Sequence, residues 1–405
     1  MTALRVTVAL AAVLAVAACG GRRSHLSIEV SPASATFDVP FTVHVRGVPA
    51  HAQARIRFSG RTHDGRTAQY RVARRADAQG RVALADFYLY PHLDPTGQWP
   101  TRLTITASSG SARASTHAER RFDVAAKLSS TDERPAKVGF YGEWITPSRA
   151  DHHTAILLFG GSEGGLTQQT LARVLAAHGY PVLELAYFSE PGLPPALTRV
   201  PLEYFERALR WLAKQPEADP SRIVTFGASR GGEASLLIAS MFPRLVGAAV
   251  GYVPSATIIP SPSDDSSPAW TYHGKPVYGD RKRFRAFLTR EDYGWIRVEH
   301  IRGPVFVVGG DADHLWPSGY SVQQIEKRMH AHGRRDITAL FYPEAGHEIG
   351  QAFPRQVAVS RVGYGYVPSR YGTLNLGGSP HADEAALEDS WPKLLTFLGR
   401  LRSHS

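Results

Sequence analysis

The chain has 405 residues, 43% hydrophobic and 20% charged, enough to bury a large core and to divide into two domains. Its formal net charge of +10 comes from arginines scattered along the sequence. Short clusters such as Arg74–Arg75, Arg120–Arg121 and Arg281–Arg283 are not interleaved with aromatics on one periodic face, which excludes a nucleic-acid-binding design and leaves a solvated basic surface.

Residues 1–18 carry one basic residue, Arg5, then an apolar stretch from Val6 to Val16, then Ala17-Ala18 before Cys19. A run of this length with small residues before the break reads as a signal peptide, too short for a good membrane span. Val16-Ala-Ala-Cys19 resembles a bacterial lipobox, so Cys19 is the expected lipidation site and the protein is expected in the cell envelope, attached to a membrane through that lipid. The alternative is a secretory signal cleaved nearby, with Cys19 incidental and the protein secreted or periplasmic. Cys19 is the one cysteine of the chain, so no internal disulfide forms. Residues 20–25 would be a tether.

From 26 to 125 the pattern is short alternating segments. Leu26–Val30, Phe41–Val45, Ala54–Phe58 and Leu103–Ala107 each place apolar groups on one face and polar groups on the other, the period of half-buried strands. Breaks at Ser31-Pro32, Gly47–Pro49, Asp64-Gly65 and Gln79-Gly80 have the spacing of a β-sandwich. His44, His51, His63 and His92 lack metal-ligand spacing, and neither a metal nor a cofactor is expected anywhere in the chain. Residues 126–136, with Ser129–Glu133, read as a linker.

The second domain, 137–402, opens with a strand or hairpin at Val138–Pro147, followed by the continuous apolar run Ala155–Phe159, a strand covered on both faces. That strand runs into Gly160-Gly-Ser-Glu-Gly-Gly165, then a helix from about Thr167 to His178 and a strand at Val182–Tyr187. The glycine-rich loop has no G-x-x-x-x-G-K-[ST] pattern and no lysine, so a phosphate cradle is set aside. It is expected to present a backbone N–H to an oxyanion, from Gly161 first and Ser162 second. Leu202–Leu212, apolar at 202, 205, 209 and 212, is an amphipathic helix.

Ile223–Ser240 is the stretch the domain is organised around. An apolar β-forming run meets Gly227-Ala-Ser-Arg-Gly231 and then a small, helix-compatible segment, which is the G-x-S-x-G nucleophile elbow in its required context. Ser229 is the expected nucleophile, at a helix amino end that favours negative charge, and the Arg230 N–H is the expected second oxyanion donor. A strand follows at Val246–Val250. Pro254 to about Ile296 is irregular and rich in Ser, Pro and Trp, as insertions covering an active site often are. Pro304–Val308 is another buried strand ending in Gly309-Gly-Asp-Ala-Asp-His314. Asp313 suits the acid of a triad, with Asp311 as the alternative and His314 a candidate pocket wall. A helix around Gln323–His332 and a strand at Ile337–Tyr342 lead to Pro343–His347. Among 17 histidines, His347 is the one with the order, strand context and preceding glycine of a catalytic base.

These motifs resemble the acyl-CoA thioesterase and bile acid-CoA:amino acid N-acyltransferase family. The matching runs are Leu158–Leu166, Leu185–Phe188, Pro201–Phe205, Gly227–Glu233, Gly310–Trp316, Tyr342–His347 and Gly377–Ala382. Looser similarity, from Leu26 through Phe41–Pro49, extends to the family's immunoglobulin-like amino-terminal domain. The resemblance implies an all-β immunoglobulin-like sandwich before an α/β-hydrolase domain, a mostly parallel sheet with helices on both faces. It implies a Ser229, Asp313, His347 triad acting on an acyl thioester or ester. Acyl transferases of the family carry cysteine at the elbow, and thioesterases carry serine or cysteine, so Ser229 implies hydrolysis. The family works on CoA thioesters inside cells, whereas this chain reads as exported. An exported carboxylesterase, or an acyltransferase to an amine or alcohol, is the alternative. A non-catalytic envelope binding lipoprotein on a hydrolase scaffold is the third reading.

Overall fold

The computed structural model describes residues 25–62, 65–87, 102–121, 127–149, 154–264, 266–277, 295–353, 359–360, 363–370 and 372–401. The expected signal peptide with Cys19, and His63, His92 and Arg281–Arg283, lie outside the described residues.

Among the described residues the first domain has eight strands: β1 Ser27–Ser31, β2 Ser34–Ala35, β3 Phe41–Arg46, β4 Gln53–Arg61, β5 Thr67–Arg75, β6 Val82–Phe87, β7 Arg102–Ser109 and β8 Ala112–Arg120. They form a three-stranded sheet, β1-β3-β6, and a five-stranded sheet, β2-β8-β7-β4-β5. Alternation decides which side chains meet. Phe41, Val43 and Val45 of one sheet and Ile56, Phe58, Leu103 and Ile105 of the other are all buried, with Phe41 and Phe58 rings 6.5 Å apart across the sandwich. Arg120, also buried, lays its guanidinium 3.7 Å from the Phe41 ring centre and donates to the Pro32 carbonyl at 3.0 Å.

The second domain is built on an eight-stranded sheet: β9 Leu128–Glu133, β10 Tyr141–Pro147, β11 Ile156–Phe159, β12 Val182–Ala186, β14 Val224–Ala228, β15 Ala248–Tyr252, β18 Val305–Gly310 and β19 Ile337–Tyr342. In space the order is β19-β18-β15-β14-β11-β12-β10-β9. Six neighbouring strands, β12 through β19 in that order, pair in parallel, while β10 runs against both β12 and β9. Counted one to eight along the chain, the sheet reads 1-2-4-3-5-6-7-8, the α/β-hydrolase topology. Helices cover both faces, so β11, β12, β15 and β18 are buried throughout, Glu184 of β12 included.

A short helix α1 (Pro135–Val138) joins β9 to β10. The larger helices are α2 Gln169–Ala177, α3 Leu202–Leu212, α4 Arg230–Met241, α5 Ser318–Ala331 and α6 Pro380–Arg400. Leu202, Phe205, Leu209 and Leu212 form the buried face of α3. Ser379 caps α6, accepting from the Ala382 N–H at 3.2 Å, with Pro380 at the first helical position.

Three expectations need correction. The stretch expected as a linker supplies β9, an edge strand whose Ser129–Asp132 side chains are exposed, so polarity hid a strand held by backbone pairing to β10. The expected irregular insertion contains β16 Trp270–Tyr272 and β17 Lys275–Pro276, which join β13 Val200–Pro201 in a small sheet. Finally, α5 begins at Ser318, five residues before the expected start. Gly319 in its first turn weakens the helical signal, and the glycine is needed because a Cβ there would stand 2.9 Å from the Gly310 carbonyl carbon.

The first domain docks through Asp38, which is buried. It accepts from His178 Nε2 at 2.7 Å, just past α2, and from Trp391 Nε1 at 2.9 Å on α6.

Candidate active site

The elbow between β14 and α4 holds Ser229 at φ 58° and ψ −124°, a conformation that costs an L residue about 1–3 kcal/mol and persists only when neighbours enforce it. Two glycines enforce it here. A Cβ on Gly227 would lie 2.3 Å from the Gly231 carbonyl carbon, and one on Gly231 would lie 2.4 Å from the Gly160 carbonyl oxygen. The serine N–H donates to the Tyr252 carbonyl at 2.9 Å, fixing the turn to β15.

Ser229, Asp313 and His347 converge at the carboxyl ends of β14, β18 and β19. His347 Nε2 is 2.9 Å from Ser229 Oγ, and its Nδ1 is 2.7 Å from Asp313 Oδ2. The carboxylate requires Nδ1 to carry the ring proton, which leaves Nε2 to accept from the serine hydroxyl. Asp313 Oδ1 accepts from the N–H groups of Leu315 and Trp316 at 2.9 and 3.3 Å. Trp316 also stands edge-on to the imidazole, ring centres 4.9 Å apart. Asp311, the alternative acid, is exposed at the turn, and His314 is exposed too, leaving the wall there to Leu315 and Trp316.

The histidine loop is clamped by residues that sequence reasoning did not single out. Asp383, buried in the first turn of α6, accepts from the Gly346 N–H at 2.6 Å. The His347 N–H donates to the Leu376 carbonyl at 2.8 Å, and Gly378 N–H donates to the Ala312 carbonyl at 3.0 Å. The run Gly377–Ala382 therefore ties the acid loop, the histidine loop and α6 together. The run is among those that carry the family resemblance, but its glycine pair and helix cap give no sign of these contacts.

Gly161 packs its α-carbon against Ser229, and Tyr187 Oη reaches the carbonyls of Gly160 and Gly161 at 2.9 and 2.8 Å, fixing the loop's peptide planes. Its N–H, the expected oxyanion donor, ends on Glu163 Oε1 at 2.9 Å. Ser162 lines the cavity beside it. Arg230 is the first residue of α4. Its side chain is buried against Glu233, Nη1 to Oε2 at 2.7 Å, and Nη2 donates to the Ile259 carbonyl at 2.9 Å. Glu233 Oε1 accepts from Trp270 Nε1 at 2.8 Å and from the Ile259 N–H at 3.2 Å. Burial pushes Glu233 up to about 7, against the pull of Arg230 and these donors. This network fixes Ile259 and the following wall to the elbow helix.

A cavity of about 720 Å³ opens onto Ser229. Val253, Ile259, Pro260, Leu315, Trp316, Val367, Leu374 and Leu376 give it an apolar body, while Glu163, Gln168, Glu348 and Arg370 bring polar groups to it. Val367 and Leu374 belong to a hairpin, Tyr366–Ser369 with Gly372–Asn375. Arg370 at its turn donates to Ser189 Oγ at 2.7 Å and to the Pro195 carbonyl at 3.2 Å.

Residues 200–402 match the family described as BAAT / acyl-CoA thioester hydrolase C terminal. Acyl-coenzyme A thioesterase 2, mitochondrial, of Mus musculus is 26% identical over 431 residues, covering 93% of this chain and 91% of that protein. Acyl-coenzyme A thioesterase 1 of Homo sapiens is 30% identical over 276 residues, covering 63% and 62%. Among solved structures, a dienelactone hydrolase-like promiscuous phosphotriesterase from metagenomic libraries aligns at 17% identity and a TM-score of 0.45, over 68% of this chain and 99% of that one. With an α/β-hydrolase sheet and similarity to thioesterases along nearly its whole length, this chain belongs to the BAAT / acyl-CoA thioester hydrolase family and is an enzyme of the thioester- or ester-hydrolase type.

Proposed function

We propose that the chain is a serine-dependent acyl thioester hydrolase that works through an acyl-enzyme. The observation that carries the reading is the continuous relay from Ser229 Oγ to His347 Nε2 at 2.9 Å and from Nδ1 to Asp313 at 2.7 Å. His347 takes the serine proton as Oγ bonds to the acyl carbon and the carbonyl electrons move onto oxygen. Asp313 holds the tautomer and offsets the imidazolium charge. The tetrahedral intermediate then collapses, breaking the bond to the leaving sulfur or oxygen, which takes the proton from His347. Water, deprotonated by His347, attacks the acyl-enzyme in turn, releasing the carboxylic acid and restoring Ser229. The N–H groups of Arg230 and Gly161 are the oxyanion donors in this reading, each worth about 3 kcal/mol.

The apolar body of the cavity suits a medium or long acyl chain, and the relatives' names make CoA thioesters the first substrates to test. Cys19 and its preceding apolar run favour a second reading, an envelope-anchored esterase or acyltransferase whose leaving group is not CoA. Fluorophosphonate labelling abolished in Ser229→Ala, with hydrolysis of acyl-CoA or p-nitrophenyl esters, is the expected result. Undiminished labelling of that variant would refute the reading. Offering glycine and taurine as acceptors separates hydrolysis from transfer.

A further inference from the structure

The loop after β11 holds a charged group where the reaction needs an empty donor. Gly161 N–H donates to Glu163 Oε1 at 2.9 Å, Thr167 Oγ1 donates to the same oxygen at 2.9 Å, and Gln168 Nε2 reaches it at 3.5 Å. An ionised carboxylate is a stronger acceptor for an N–H than a neutral ester or thioester carbonyl. The carboxylate and the nucleophile also border one small space. A methyl group built on the Gly161 α-carbon would stand 3.0 Å from Glu163 Oε2 and 3.1 Å from the Ser229 Cβ. Gly161 is buried, whereas Glu163 is exposed, so the side chain folds in from the surface and has room to withdraw.

The geometry points to Glu163 as an internal occupant of the oxyanion site, a specificity-determining residue whose carboxylate caps the Gly161 N–H in the resting enzyme and yields it to the acyl oxygen of substrate. This rests on the serine-hydrolase reading above. Because the capped form binds substrate poorly, the apparent substrate affinity is reduced by the fraction of enzyme that is uncapped, whereas the saturated enzyme, with Glu163 displaced, turns over undiminished. Substrates with enough apolar acyl surface to fill the cavity overcome the cap at working concentration, and small acyl groups do not. The cap divides the affinity of every acyl group by the same factor, so at a fixed concentration Glu163 suppresses turnover of weakly bound small substrates while tightly bound long ones stay saturating.

Removing the cap should lower KM and leave kcat alone. In Glu163→Ala, KM for p-nitrophenyl butyrate should fall about threefold to thirtyfold, and the second-order rate constant of fluorophosphonate labelling should rise by the same factor, with kcat within about twofold of the parent. Glu163→Gln keeps the length and one acceptor oxygen without the charge, and should fall between the two. A lower kcat or slower labelling in both variants would instead make Glu163 a support for the loop and overturn the proposal, as would unchanged KM and labelling. Ser229→Ala run in parallel keeps the two questions apart. Labelling that persists in it defeats the hydrolase reading, whereas labelling that needs Ser229 but ignores Glu163 defeats the cap alone.

Discussion

At the scale of single residues, the carboxylates of this protein divide by what surrounds them. Asp313 has His347 on one oxygen and two backbone N–H groups on the other, so its charge is held in place to fix the imidazole. Asp313→Asn keeps the shape but offers the ring an amide. It should lower kcat for p-nitrophenyl butyrate by roughly 10⁴-fold while KM and Tm change little; a loss under tenfold would remove Asp313 from the relay. Glu184 is the opposite case. It is buried on β12 beside Glu143, and burial pushes its carboxyl from 4.5 up to about 7 despite the Gln168 N–H that it accepts at 2.6 Å. Because the folded chain holds this proton more tightly than the unfolded one, stability is lost as pH rises from 4.5 to about 7. The loss is of the order of 3 kcal/mol. Glu184→Gln should therefore flatten the decline of Tm between pH 5 and pH 8, and an unchanged slope would refute the assignment.

At the scale of elements, close approach decides which glycines can change. Gly231 lets α4 lie against the end of β11 and its glycine-rich loop, and a Cβ there would stand 2.4 Å from the Gly160 oxygen and 2.9 Å from the Phe159 oxygen. Gly231→Ala should cost at least 1–3 kcal/mol of stability and most of the activity, because strand and helix must separate and Ser229 moves with them. Gly399, near the end of α6, meets nothing within 4 Å, so Gly399→Ala should stabilise by about 0.5–1 kcal/mol in urea unfolding. A reversed order of the two variants would contradict the packing described. The same contrast explains what could be read from the sequence. Ile156–Phe159, Val224–Ala228 and Leu202–Leu212 were legible because each element's burial is written locally, as an apolar run in the strands and as a helical period in the helix. The positions of Ser229, Asp313 and His347 at strand ends were legible because the turn chemistry is local. β9 was not, since an exposed edge strand is held by backbone pairing and its side chains carry no pattern. Nor were the contacts of Asp383 with Gly346 or of Glu163 with Gly161. The first joins segments 37 residues apart, and the second depends on which way one side chain folds.

At the scale of the whole molecule, the two domains meet at a carboxylate tied to the helices on either side of the candidate site. Asp38 holds His178, which ends the helix following the glycine-rich loop after β11, and Trp391, on the helix whose first turn clamps the loop of His347 through Asp383. Trp391 also packs on Phe353, 5.8 Å between ring centres, just past the turn that carries His347. Burial alone would push the Asp38 carboxyl up, but the hydrogen bond and charge of His178, with Thr36 and Trp391, hold it below its ordinary 3.8. A carboxyl lowered in the folded state contributes stability above its unfolded value, and that contribution is lost only as pH falls through the folded one. Asp38→Ala leaves the buried indole N–H without its acceptor and cuts the tie between domains. The expected cost is about 3 kcal/mol. In calorimetry the intact protein should unfold in one transition at pH 7, and Asp38→Ala should unfold at a lower Tm, since the polar tie is lost while the buried apolar cluster that runs from Phe37 and Phe41 to Leu171 and Trp391 still joins the domains. The difference between the proteins should persist at pH 5 and shrink only as pH falls below 3.8 toward the lower value that the folded carboxyl holds. A single transition in the variant, at the parent's Tm, would mean that the domains are joined by apolar packing alone and that Asp38 is a passenger at their border.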